Sequence, residues 1–186
     1  RALVAVAAAI GAILVGPGAA SADEADDAST PLVVIGVGGL RWDDVSTLGT
    51  PALWTMSRDA AVGLLAARSA AGAACPADGW LALSAGTRVA DLRVEDGTCR
   101  TLREPGTDGV TPGWTDYLEA ADQQSYDARP GLLGEVLAER GTTVTGIGPG
   151  AAIALADAAG TPVGTHARRP VTANELTATV RGALDT

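Results

Sequence analysis

Cys75 and Cys99 are the two cysteines of the chain. A cysteine can bridge, bind a metal or attack as a thiolate. A metal site would need His or further Cys close by, and none accompanies either residue. An even pair in a chain that leaves the reducing cytoplasm reads as a disulfide. Closing a loop of this size contributes about 3 kcal/mol in the chain-entropy account. Asp43 and Asp44 are adjacent carboxylates that follow an apolar run, at the strand edge where α/β sheets place ligands. They could hold a hard cation, but consecutive side chains diverge, which favours a solvated turn or a helix cap. Asp78 and Ser84 complete the polar candidates. Ser84 stands in Leu83-Ser84-Ala85-Gly86 and not in a G-x-S-x-G nucleophile elbow. His166 is the one histidine and precedes Arg168-Arg169-Pro170. It cannot form a metal site alone, and a surface role is expected.

Two glycine clusters suggest phosphate binding, and each departs from the pattern that chemistry needs. Gly36-Val37-Gly38-Gly39 follows a strand-like run but is not G-x-G-x-x-G, and Trp42-Asp43-Asp44 replaces the amphipathic helix that should come next. Gly146-Ile147-Gly148-Pro149-Gly150-Ala151 matches the G-x-G-x-x-A variant. Pro149 lacks the amide a pyrophosphate would use, and no acidic residue ends a following strand at the required distance. A tight strand-to-helix turn explains it better.

The elements that must position these residues alternate between strands and helices. Leu32 to Val37 is a continuous β-branched run of the kind buried on both faces of a parallel sheet. Pro51 opens a helix to about Asp59, and Val62 to Arg68 reads as a second strand. Helices are expected over 76–86, 114–123, 130–140, 151–159 and 174–184, with strands at 142–147 and 161–165. Residues 89–113 carry charges, Gly and Pro with weak periodicity and read as an insertion held by Cys99. The expected class is α/β, a largely parallel sheet flanked by helices.

The N-terminus carries an export signature. Arg1, the uncharged run Ala2 to Val15, the Gly16-Pro17-Gly18 break and Ala20-Ser21-Ala22 give a charged end, an apolar core and a small-residue cleavage site in order. A membrane span needs about 20 apolar residues, so this shorter core favours a cleaved signal peptide over a retained anchor. Residues 23–30 (DEADDAST) form an acidic linker, and 31–186 the α/β domain. The net charge is −9, every basic side chain is Arg, and no basic run exists. That argues against nucleic acid and against an anionic membrane surface as partners, leaving the N-terminal segment or a C-terminal part beyond Thr186 as the expected membrane contact.

Three segments resemble the alkaline phosphatase superfamily, in its nucleotide pyrophosphatase/phosphodiesterase-like branch. Leu32 to Asp43 (LVVIGVGGLRWD) is similar to the opening strand of the family. Thr50-Pro51-Ala52-Leu53 with Ala74 to Gly86 (ACPADGWLALSAG) is similar to its T-P-x-L helix and the nucleophile-bearing helix start. Leu132 to Pro149 is similar to a later helix and strand. The resemblance implies two divalent metals held by Asp and His, with a metal-activated Thr or Ser attacking phosphorus. It places the first metal Asp at Gly38 and the nucleophile at Ala74, and neither carries the group required. A shift of one residue would put the nucleophile on Cys75, which a disulfide would remove as a thiolate. It also places the remaining ligands beyond Thr186, so the chain reads as the N-terminal part of a longer, incomplete alkaline-phosphatase-like domain.

The expectation is an exported, catalytically inactive phosphatase/phosphodiesterase-like domain that binds or scaffolds an envelope ligand or protein, with no cofactor. The rival is an active metal-dependent phosphoric-ester hydrolase using Asp43, Asp44, Asp78 or Ser84 with two divalent metals. A plain exported ligand-binding domain is the third class.

Overall fold

The computed structural model describes residues 31–63, 70, 73–92 and 97–185. The chain divides into Arg1–Val33 and Val34–Thr186. The export segment 1–22 and the linker 23–30 lie outside the described residues. Among the described residues no helix is long and apolar enough to cross a membrane.

The second unit is mixed α/β, with a two-stranded parallel sheet flanked by helices. In order come a 3-10 turn at Trp42–Asp44, α1 (Pro51–Asp59), α2 (Pro76–Ala85), α3 (Trp114–Asp122), α4 (Leu132–Glu139), β1 (Thr145–Ile147), α5 (Pro149–Ala154), β2 (Thr165–Ala167) and α6 (Ala173–Leu184). Strands β1 and β2 pair in parallel with Gly146 opposite His166.

Local chemistry sets the boundaries. Pro51, Pro76 and Pro149 each sit at a helix start, where a missing N–H costs nothing and the fixed φ suits the first turn. Helix α2 stops at Gly86, which takes φ +66, a left-handed cap that side chains with a Cβ avoid. Helix α4 begins at Leu132, later than the sequence suggests, because Gly131 takes φ +103 against the backbone of Asp157. A Cβ there would approach Asp157 C to 2.7 Å, so only glycine fits.

The core lies where α2, α3 and α5 meet. Ala77, Leu81, Ala85, Val89, Trp114, Tyr117, Ala121, Ile153 and Ala156 form one buried cluster. Much of it is alanine, so the helix backbones approach closely. Gly150 on α5 leaves room for the Trp80 indole of α2, and a Cβ on Gly36 would meet the same ring at 2.5 Å. Trp114 meets Tyr117 edge to face, centroids 6.3 Å apart. Its Nε1 donates to Ala158 O at 3.0 Å, satisfying the polar end of a buried indole.

Several expected strands differ. Leu32 to Val37 joins no ladder among the described residues, and Leu32, Val33, Val34, Ile35 and Val37 are all exposed. The run has the composition of a central strand, and among the described residues no strand lies beside it to cover it. Val62 and Gly63 lie outside any element, and the remainder of that expected strand, 64–68, falls outside the described residues. The strand expected at 161–165 instead forms at Thr165–Ala167, because Pro162 enters an isolated antiparallel bridge with Ala156 and Gly164 turns the chain at φ +80.

Candidate functional site

The polar groups that gather in the fold converge at the start of α2. Cys75 caps that helix, and its Sγ bonds Cys99, with the two Cα atoms 5.5 Å apart. Asp78, one turn inside the helix, is 3 % exposed. Its Oδ2 accepts from Cys75 N at 2.8 Å and its Oδ1 from Asp91 N at 2.9 Å. A carboxylate at the third helical position that reaches back to the cap N–H is half of a capping box. Here the second oxygen also anchors a distant strand of chain.

Asp91 continues the network. Its side chain is 1 % exposed and takes Arg100 Nε at 3.0 Å. Arg100 directs Nη1 to Asp116 on α3 at 2.7 Å and sits 5.5 Å from the centroid of the Tyr117 ring. Arg100 is charged in water at any ordinary pH, and its pairing with Asp91, first through the hydrogen bond, raises its pKa further. Burial pushes the Asp91 carboxyl above its ordinary range, outweighing the Arg100 hydrogen bond and charge that pull it down. Burial, reinforced by the Asp91 charge, likewise lifts the Tyr117 phenol to about 12. A buried carboxylate facing Nε and Nη2 of a planar guanidinium, with Nη1 turned to a second acid, is an ion triad. On its outer side, Arg100, Arg103, Asp108 and Asp116 wall a groove of about 490 Å³. Both signs of charge line it, so the groove suits a small polar ligand better than a purely anionic one.

The candidates named from sequence do not assemble into one centre. Gly38 and Ala74 are both exposed, and neither brings a donor atom, so these residues do not fit the two divalent metals the resemblance implies. Asp43 and Asp44 end the 3-10 turn, where Asp44 Oδ2 accepts from Arg41 N at 2.8 Å. This is the cap reading, and the two acids remain on the surface. Among the described residues no group of three or more His, Cys, Asp or Glu is placed to hold a metal ion. Ser84 is fully buried, and its Oγ accepts from Gly131 N at 2.8 Å. It ties α2 to the start of α4. We expect Ser84→Ala to lower stability by about 1–3 kcal/mol, the cost of leaving a buried N–H without its acceptor, measured as a lower urea midpoint.

His166 departs from its expected surface role. It is part-buried on β2, and its Nε2 lies 3.0 Å from Glu104 Oε2, while Glu104 Oε1 accepts from Arg169 N at 2.9 Å. The pair fastens residue 104 of the insertion to β2. The imidazole Nδ1 is buried without a hydrogen-bond partner.

Sequence reading missed Asp91, Arg100, Asp116 and Glu104. The adjacency of Arg100 to Cys99 was a usable signal, since a disulfide brings its neighbours with it. The pairing of Asp91 with Arg100 and of Glu104 with His166 had none. No family model, curated protein or solved structure matches the chain, so the reading of its function rests on these residues.

Proposed function

We propose that the chain is an exported domain with an alkaline-phosphatase-like frame that binds or scaffolds at the cell envelope and does not hydrolyse phosphoric esters. One observation carries this reading: the polar groups nearest the expected nucleophile are committed to holding the fold. Cys75 is bonded to Cys99, Asp78 holds two backbone N–H groups, and Ser84 holds Gly131 N. A nucleophile or metal ligand must keep a lone pair free for the reacting atom. The disulfide adds weight to export, because such bonds persist in oxidising compartments. The ligand contact proposed for this module is the mixed-charge groove beside Arg103 and Asp108, where a small polar molecule or an exposed polypeptide turn could dock.

The test combines titration calorimetry with zinc and manganese and a phosphodiesterase assay on an activated aryl diester. No stoichiometric uptake of two metals and no turnover are expected. Metal-dependent turnover that disappears in Asp78→Asn or Asp43→Asn would establish the hydrolase reading instead. The family alignment is checked separately with Gly38→Asp combined with Ala74→Thr. Metal uptake gained by that double variant supports the proposed frame.

A further inference from the structure

The disulfide and the ion triad form one closed circuit. Starting at Cys75, the backbone N–H donates to Asp78, and Asp78 accepts from Asp91 N. Asp91 holds Arg100, Arg100 follows Cys99 in sequence, and Cys99 returns to Cys75 through the S–S bond. Two links are covalent, the Cys99–Arg100 peptide bond and the disulfide, and of these a thiol can open only the disulfide. Cys75 is buried and Cys99 is exposed, so Cys99 is the half of the bond that faces solvent. Exposed disulfides are the labile ones.

Arg100 cannot drift from Asp91 while its neighbour is fixed to the α2 cap. Once the bond is cut, the residue beside it is free, and the outer guanidinium contact, Asp116, is half exposed and holds it weakly. We propose that Cys75–Cys99 is a redox latch on the Arg100 ion triad, so that reduction by a dithiol releases Arg100 from Asp91 and Asp116 and opens the groove that Arg100 walls. In the step, one thiolate of the dithiol attacks Cys99 Sγ, the S–S bond breaks, and Cys75 leaves as a thiolate that takes up a proton. The second thiol of the reductant then displaces Cys99, which leaves as a thiol. The reductant ends as a disulfide, having supplied two electrons and two protons.

Coupling between two events is reciprocal. If the disulfide holds Arg100 in the triad, the triad must stabilise the disulfide by the same factor. The folded chain is equilibrated in graded dithiothreitol redox buffers, and its thiol content is read after acid quenching. Arg100→Gln is expected to move the midpoint about tenfold toward reduction, about 30 mV for a two-electron couple. Ser84→Ala, which weakens the fold away from the latch, is expected to leave the midpoint in place. An unmoved midpoint in Arg100→Gln overturns the latch. So does an equal shift in Ser84→Ala, which would show that reduction merely follows global unfolding. Where Arg100→Gln does not fold, Asp91→Asn removes the same pair without leaving a buried charge, and the same two criteria decide.

Discussion

Asp78→Ala is expected to lower the unfolding free energy by about 3–6 kcal/mol, the sum of two lost hydrogen bonds to a carboxylate at about 1.5–3 kcal/mol each. Both donors are backbone N–H groups, at Cys75 and at Asp91, and both lie where water does not readily replace the lost oxygen. Native stability spans about 5–15 kcal/mol, so such a loss would remove a third or more of a modest total. Asp78→Asn sharpens the interpretation. The amide keeps one acceptor oxygen and turns an NH₂ donor toward the other N–H, so it can restore at most one of the two bonds. The measurement is a urea titration, with a lower midpoint and an unchanged slope expected. If Asp78 were instead a catalytic or metal-holding carboxylate, Asp78→Ala would leave stability within about 1 kcal/mol, and that result would remove the structural assignment.

Much of the helical framework was legible because its signals are local. Pro76 and Gly86 bracket α2 in sequence as they do in space, and Gly141, at φ +61, ends the α4 region as expected from glycine alone. The cysteine pair was legible too, since two cysteines admit one pairing. Strand signals misled for a physical reason. The composition of Leu32 to Val37 states that the segment can be buried on two faces, but burial depends on partners elsewhere in the chain. The site was least legible. Asp91, Arg100 and Asp116 carry ordinary surface chemistry one at a time. They become a site only when the Cys75–Cys99 bond and the Asp78 carboxylate bring their segments together.

The circuit also explains why an acidic residue tolerates burial here. Asp91 faces Arg100, with Asp78 on α2 and Asp116 and Tyr117 on α3 nearby. With Asp91 itself the cluster holds three carboxylates, and Arg100 pairs directly with two of them, Asp91 and Asp116. Arg100 is therefore the cation that compensates the buried Asp91 carboxylate, and it sets the sign of the pH dependence.

Arg100→Gln is accordingly expected to cost about 3 kcal/mol near neutral pH, the lower end of the range for breaking a buried pair, because Arg100 itself is partly solvated. Burial already raises the Asp91 carboxyl above its unfolded value of 3.8, against the pull of Arg100. The folded state therefore binds protons that the unfolded state releases. Asp91's contribution to stability is fully present below 3.8 and is lost as pH rises through the raised folded value. Removing Arg100 removes two of the influences that lower that value, its hydrogen bond and its charge, and leaves the Leu92 backbone hydrogen bond, so the folded pKa rises again and the window widens upward. The variant should lose most at about pH 7 and progressively less as pH falls toward about 4, where the protonated carboxyl no longer needs a cation. Adding Asp91→Asn should recover most of the neutral-pH loss and flatten its pH dependence. Urea midpoints of the single and double variants at these two pH values check both statements. A loss of equal size at both would mean that Arg100 acts through its packing on Tyr117 and not through the Asp91 charge.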